Sequence, residues 1–267
     1  MAFSKGHGTG NDFVILDADV QLTPDLVAAL CDRHFGIGAD GVLRVLPSTA
    51  PDAAWFMDYW NSDGSLSEMC GNGVRVFAQH LVESGRVAED GPIPIATRAG
   101  LRTAFPASAP GHPGFRVDMG APELLGTSWA RIGDQKFDGI GVSMGNPHLV
   151  CAVPAVEPLS LWESPVFDTE FYPEGVNVEF YTEIEPDHLR MRVYERGSGE
   201  TLSCGTGTCA VAVAYLRSSG RSTGTVTVDV PGGRLVVTLD EQTCWLAGPA
   251  VIVAHGFVDT DALRYPA

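Results

Sequence analysis

Cys204-Gly-Thr-Gly-Thr-Cys209-Ala-Val-Ala-Val-Ala-Tyr-Leu216 runs without a charged residue and without a polar face until Arg217. A helix that is apolar all round must be buried all round, so an exposed amphipathic helix is excluded here. Upstream, Cys70-Gly71-Asn72-Gly73 opens a segment with the same opening pattern, with Val74, Phe77, Ala78 and Leu81 at i, i+3, i+4 and i+7. Gly85 and Gly220 stand where a glycine ends a helix in the left-handed conformation. The pattern predicts a helix after each cysteine, each lying inside a curved sheet.

The two segments are 134 positions apart, and that offset recurs. Met57-Asp58-Tyr59-Trp60-Asn61 lies over Met191-Arg192-Val193-Tyr194-Glu195 at 134. At 135, Gly10-Asn11-Asp12-Phe13-Val14 lies over Gly145-Asn146-Pro147-His148-Leu149, and Leu81–Arg86 over Leu216–Arg221. Four matches in one order are too long in period for a solenoid and point to two copies of one domain about a pseudo-two-fold axis. Strands are expected over Asp12–Asp17 and Ala54–Trp60, and a separate helix over Thr23–Arg33, with Thr23 as N-cap and Pro24 at N1. Pro106–Gly114, the run richest in proline and glycine, is the candidate linker between the copies.

The chain has 267 residues and a formal charge of −16, with 33 acidic side chains against 17 basic. No basic stripe is present to neutralise phosphates, so nucleic acid is not an expected partner. Residues 1–7 hold no apolar signal core, and the longest uncharged stretch, Gly139–Val156, contains Asn146, Pro147 and His148. A soluble cytoplasmic protein with no membrane association is expected. Six cysteines, without a CxxC pair, form neither a disulfide scaffold nor a zinc site, and no metal is expected. Cys31, Cys151, Cys209 and Cys244 read as small buried hydrophobes.

Cys70 and Cys204 are different, because each starts a helix. Unpaired N–H groups and the helix dipole lower a thiol pKa and favour thiolate. The glycines that follow let an anion approach the bare amides. If the copies face each other, a carboxylate caught in the cleft has its α-carbon flanked by sulfur on both sides, the arrangement that inverts a stereocentre. A phosphate cradle at Gly205-Thr206-Gly207-Thr208 is the plainer alternative. No Lys-Ser/Thr follows it, and the dinucleotide fingerprint lacks its third glycine.

Along nearly its whole length the sequence resembles the diaminopimelate epimerases. The resemblance rests on Gly6–Phe13, Gly36–Gly41, Asn61–Ser65, Met69–Gly73, Gly145–His148, Gly175–Asn177, Glu195–Thr201 and Cys204–Gly207. Proline racemases look like cousins with the same cysteine logic, but they carry a His after the first Cys-Gly and lack the Glu195-Arg-Gly-Ser-Gly-Glu200 run. The resemblance implies Cys70 and Cys204 as the acid/base residues, and Asn11, Asn61, Asn146, Asn177, Glu195 and Arg196 as substrate contacts. It places the reacting carboxylate on the backbone around Gly71-Asn72 and Gly205-Thr206. Some members have Gln where this chain has Gly41, so a contact made there is missing. It also implies an α+β fold: two pseudo-symmetric domains, each a curved mixed sheet wrapped around a central helix, with the active site in the cleft between them. The final strand returns to the first domain, which gives residues 1–114 plus 251–267 and residues 115–250.

The expected activity is interconversion of LL- and meso-diaminopimelate at one α-carbon, in lysine and peptidoglycan precursor synthesis, by two cysteines without a cofactor. A homodimer with a small-molecule substrate as its only other partner is expected. Arg196 supplies a two-pronged donor for a distant carboxylate, and the asparagines donate and accept as a zwitterion requires. His148 and Glu195 are candidates for supporting the catalysis. Two alternatives stay open: racemisation of another amino acid such as proline or hydroxyproline, and a non-catalytic amino-acid-binding protein.

Overall fold

The structure is a computed structural model, and it describes residues 1–17, 19–109 and 112–263. The chain divides into two compact units, Met1–Val117 with Gly248–Ala267, and Asp118–Ala247. The strands begin with β1 (Ala2–Gly8), β2 (Asn11–Leu16), β3 (Gly41–Pro47), β4 (Trp55–Asn61), β5 (Ile93–Thr97), β6 (Gly100–Ala109) and β7 (His112–Asp118). They continue with β8 (Glu123–Ile132), β9 (Gln135–Ser143), β10 (Pro147–Ala152), β11 (Val166–Phe167), β12 (Asn177–Glu185) and β13 (His188–Glu195). The last are β14 (Gly199–Thr201), β15 (Gly224–Val230), β16 (Gly233–Leu239), β17 (Cys244–Pro249) and β18 (Val251–Phe257). Three α-helices interrupt them, α1 (Pro24–Cys31), α2 (Gly71–Glu83) and α3 (Gly205–Ser218).

The strand pairing carries the duplication seen in the sequence. In the first unit the order β18-β1-β2-β3-β4-β5-β6-β7 pairs antiparallel, antiparallel, parallel, antiparallel, parallel, antiparallel, antiparallel. In the second, β8-β9-β10-β12-β13-β15-β16-β17 repeats that series without a change. Parallel neighbours need a crossover. From β4 to β5 the crossover is α2, and from β13 to β15 it is α3.

Each crossover helix lies along the concave side of its own sheet. α2 packs on β1 to β6 and β18, and α3 on β9, β10, β12, β13, β15 and β16. Val74, Val76, Phe77, Ala78 and Leu81 are fully buried on α2, and every residue from Gly207 to Leu216 is buried on α3. Each buried valine or leucine contributes about 1.5–3 kcal/mol. Gly85 and Gly220 take φ of 69° and 72°, which ends each helix as the sequence predicts. With 14 residues against 13 in α2 and 8 in α1, α3 is the longest helix among the described residues. None of these helices is long and apolar enough to cross a membrane.

Two local expectations are corrected. α1 is capped by Thr23, whose Oγ1 accepts the Leu26 N–H at 3.3 Å, but it stops at Cys31 rather than Arg33. Asp32 leaves the helix (φ −60°, ψ 125°) because its carboxylate accepts the N–H groups of His34 and Phe35 at 2.7 Å each, an alternative to helical pairing. The candidate linker is no linker: Pro106–Ala109 and His112–Gly114 belong to β6 and β7 and pair antiparallel. Pro110 and Gly111 lie outside the described residues. Gly41 also has a local reason to stay glycine. A Cβ there would stand 2.5 Å from the carbonyl oxygen of Trp60 and 2.8 Å from the Tyr59 ring.

In the last turn of α2, His80 is buried and its Nε2 lies 3.1 Å from Arg86 Nη1. A guanidinium only donates, so this ring nitrogen accepts and is unprotonated. Burial first, and the Arg86 charge second, push the imidazole down to about 4. The unfolded chain therefore takes up this proton first as the pH falls. Stability should be intact above pH 6.5 and fall between pH 6.5 and 4, by about 3 kcal/mol from this group alone. Urea midpoints measured across that range check it, and His80→Gln should flatten the decline.

Candidate active site

Cys70 caps α2 from an extended backbone (φ −142°, ψ 122°), and its Sγ accepts the Gly73 N–H at 3.4 Å. The thiol donates to Asn11 Oδ1 at 3.4 Å, and Asn72 Nδ2 donates to the same oxygen at 3.3 Å. Both amides are locked from their far ends. The fully buried Arg75 donates from Nη2 to Asn72 Oδ1 at 2.9 Å, and Asn11 Nδ2 donates to Asp40 Oδ2 at 2.9 Å. A guanidinium only donates and a carboxylate only accepts, so neither amide can turn over without losing a bond. Asn11 therefore presents a carbonyl oxygen, and only that, to the sulfur.

Asp40 is itself held. Arg33 Nη2 bonds Asp40 Oδ1 and Asp12 Oδ1 at 2.8 Å each, and Lys5 Nζ reaches Asp12 Oδ2 at 2.6 Å. Burial would raise the Asp12 carboxyl, but its bonds to Arg33 and Lys5 outweigh that and bring it down to about 2. Asn61, at the end of β4, donates from Nδ2 to Ser65 Oγ at 3.0 Å. Gly71 and Asn72 form the first turn of α2, both buried.

In the second unit Cys204 caps α3 with nearly the same backbone (φ −115°, ψ 113°), and its Sγ accepts the Gly207 N–H at 3.4 Å. Gly205 and Thr206 form the first turn, and Thr206 Oγ1 lies 3.5 Å from the sulfur. From that hydroxyl a chain runs inward. Asn146 Nδ2 is 3.5 Å from Thr206 Oγ1, Asn146 Oδ1 is 3.1 Å from His148 Nε2, and His148 Nδ1 is 2.7 Å from Glu179 Oε1. His148 and Glu179 are both 0% exposed. Glu195 accepts from Thr201 Oγ1. Burial raises its carboxyl above the ordinary range, against the opposing bonds to Thr201 and Cys204. Asn177 ties three segments together, donating to the Pro147 carbonyl at 3.1 Å and accepting the Arg196 N–H at 2.9 Å. The Arg196 guanidinium is exposed, donates to the Glu174 carbonyl at 2.8 Å, and lies over Gly175, where a Cβ would stand 2.8 Å from Arg196 Cδ.

One expectation is overturned here. A helix N-terminus was expected to lower both thiols, yet Cys204 is pushed well above the usual cysteine range. Burial is the largest cause, followed by the charges of Glu195 and Glu179, and the bonds from Thr206 and Gly207 do not offset them. Desolvation of the buried sulfur and the two neighbouring carboxylates disfavour the thiolate.

Several residues of this chemistry escaped the sequence reading: Arg33, Asp40, Arg75, Glu179 and Thr201. Two left a signal. Arg75 is a lone cation between Val74 and Val76 in a helix buried along most of its length, and Glu179 is the one acid in the buried half of its strand, between Val178 and Phe180. Such charges persist only when partnered.

Two units of one topology, each packed on a buried crossover helix, define a fold class that solved structures share. Solved members include a PhzF-family phenazine biosynthesis protein of Bacillus anthracis, with TM-score 0.75 and 18% identity over 96% of this chain and 98% of that one. A hydroxyproline epimerase from Agrobacterium vitis with bound trans-4-OH-L-proline matches with TM-score 0.70 and 16% identity over 98% and 96%. At such identity the likeness is one of fold. Residues 3–125 and 140–256 match the sequence profile of diaminopimelate epimerase. The diaminopimelate epimerase of Corynebacterium glutamicum (strain ATCC 13032) is 50% identical over 270 residues, 96% of this chain and 97% of that protein. That of Rhodococcus opacus (strain B4) is 47% identical over 282 residues, 97% of each. The chain belongs to the diaminopimelate epimerase family.

Gly73 and Gly207 are equivalent in the repeat, but their surroundings differ. A Cβ on Gly73 meets nothing closer than Cys70 Cβ at 3.4 Å, whereas one on Gly207 stands 2.6 Å from Glu179 Oε1. Gly73→Ala should leave stability within about 1 kcal/mol of the parent. Gly207→Ala should cost about 1–3 kcal/mol by displacing Glu179 from His148, and should slow turnover. Chemical denaturation with parallel activity measurements separates the two variants, and equal behaviour would contradict the asymmetry.

Proposed function

We propose that this chain interconverts LL- and meso-2,6-diaminopimelate by moving the proton on one α-carbon, with Cys70 and Cys204 as the acid–base pair and no cofactor. The observation that carries the reading is a thiol at the N-cap of the equivalent buried helix in each unit. Inversion needs a base on one face of the carbon and an acid on the other. One cysteine, as thiolate, takes the α-proton; the other, as thiol, gives its proton to the opposite face. The enzyme ends with the two thiols in exchanged states, and the next turnover can run in reverse.

Charge left on the substrate spreads into its carboxylate. The backbone N–H groups at Gly71-Asn72 and Gly205-Thr206, in the first turn of each helix, are the donors for that charge. Arg196 takes the carboxylate of the distant, unreacting end, and Asn11, Asn61, Asn146 and Asn177 read or frame the zwitterion around it. Glu195, with its carboxyl raised by burial, and His148 support Cys204. The membership of the family supports this substrate over proline or hydroxyproline, and a paired thiol is superfluous for binding alone. We place the enzyme in the cytoplasm, as a homodimer, in lysine and peptidoglycan precursor synthesis, without nucleic acid or membrane as partner.

Incubation with LL-diaminopimelate in deuterated water tests the reading. Deuterium should enter at one α-centre while the meso isomer accumulates, without added pyridoxal phosphate and in the presence of carbonyl reagents. Cys70→Ala and Cys204→Ala should each lower kcat by about 10²–10⁴-fold. The double variant should lose no more than either single one, because the groups act as a unit. Substantial turnover by either alanine variant would sink the assignment.

A further inference from the structure

We propose that Glu179 is a positioning residue for Cys204: through His148, Asn146 and Thr206 it sets whether the sulfur is met by a hydrogen or by a lone pair. This rests on the reading of Cys204 as an acid–base group. Glu179 sits on β12 with no exposure, bonded through Oε1 to His148 Nδ1 at 2.7 Å. Its Oε2 is buried and has no partner among the described residues. A buried carboxylate with an idle oxygen is a costly way to fill space, and a neutral side chain of the same shape would fill it better.

What distinguishes this chain of bonds from the one at Cys70 is that it can reverse. Around Cys70, Arg75 and Asp40 lock both amides. Around Cys204, each link can donate or accept. With both ring nitrogens protonated, His148 donates to Glu179 and to Asn146 Oδ1, Asn146 Nδ2 donates to Thr206 Oγ1, and the Thr206 hydroxyl is free to donate to a thiolate. With Nδ1 alone protonated, the Asn146 amide rotates, its nitrogen donates to Nε2, and its oxygen accepts the Thr206 hydroxyl. The hydroxyl then presents a lone pair, which suits a thiol. The two states hold the same number of protons and differ by one amide rotation: the proton absent from His148 Nε2 in the second state is the one that Cys204 then carries. The Glu179 carboxylate only accepts, so it keeps a hydrogen on Nδ1 in both states and leaves Nε2 alone to set the direction of the chain. The charged groups facing the sulfur are Glu195 from β13 and Glu179 from β12; His148, from β10, stands between Glu179 and Asn146.

Two routes from Glu179 to the sulfur predict opposite signs. Acting directly through space, its negative charge holds Cys204 protonated, so Glu179→Gln would make the thiol more reactive. Acting through the chain, Glu179→Gln removes the acceptor that fixes a hydrogen on Nδ1, so the thiolate arrangement is no longer enforced and reactivity falls. The measurement is alkylation of substrate-free protein by iodoacetamide, followed by peptide mapping, with Cys70 in the same sample as reference. The Cys204/Cys70 rate ratio should fall about tenfold in Glu179→Gln and by no further factor when the change is made in His148→Gln. Turnover should show kcat lowered about tenfold and KM within twofold. Thr206→Val cuts the chain with every carboxylate in place and should lower the ratio similarly, which keeps the test decisive if Glu179→Gln folds poorly. A ratio that rises or stays level, an equal further loss in the His148→Gln background, or a Cys204 as inert in the parent as in the variants would overturn the proposal. Absence of deuterium exchange in the parent would instead defeat the epimerase reading and leave these ratios interpretable.

Discussion

A helix packed on several strands of its own sheet must still find partners for its first N–H groups at its capped end. α2 and α3 are such helices, and everything else in each unit is arranged to make that packing possible. The parallel crossover puts the helix against its own sheet, and the sheet curves until it touches the helix on most of its circumference. The first N–H groups still need a partner. Cysteine supplies one, with a sulfur at 3.4 Å from the third N–H in both units. The thiol is thus held in place by an obligation of the backbone, at a point where a glycine follows it directly in both units.

The same scaffold then carries two different electrostatic settings. In the first unit the cap is surrounded by amides pinned between a buried guanidinium and a carboxylate held by Arg33. In the second it is surrounded by carboxylates, an imidazole and a hydroxyl. Duplication supplied equal positions for two sulfurs, and the neighbouring side chains made them unequal. A reaction that takes a proton with one group and returns it with the other has use for that difference.

The parts of this arrangement that are local, or that repeat, were legible in the sequence. An all-apolar run after Cys204, a glycine at each helix end and four matches near one offset suffice to read the duplication and both central helices. The end of α1 was misread because a single side chain, Asp32, offers the backbone a competing set of bonds. Pro106–Gly114 was misread because its composition resembles a linker, while pairing with a neighbouring strand depends on partners that composition does not reveal. The acidity of Cys204 was misread for a related reason: the dipole is a property of the helix, but Glu195 and Glu179 arrive from β13 and β12. Arg75, Asp40 and Glu179 act across 3 to 31 positions of sequence, and nothing in their immediate neighbours names the partner.

The edge strand of the first unit also separates the two copies in time. In the second unit, β8 directly precedes β9, and the whole series is continuous from 118 to 247. In the first unit the equivalent place beside β1 is taken by β18, some 250 residues later, with Ser4 bonded to His255. During synthesis the second unit can close as soon as its own stretch has emerged. The first must hold β1 with an open edge until the ribosome has passed Phe257. Loop closure over that span is the slowest pairing in the chain to nucleate. An unpaired edge waiting so long is an opening for association with other chains, a hazard that the continuous copy does not share.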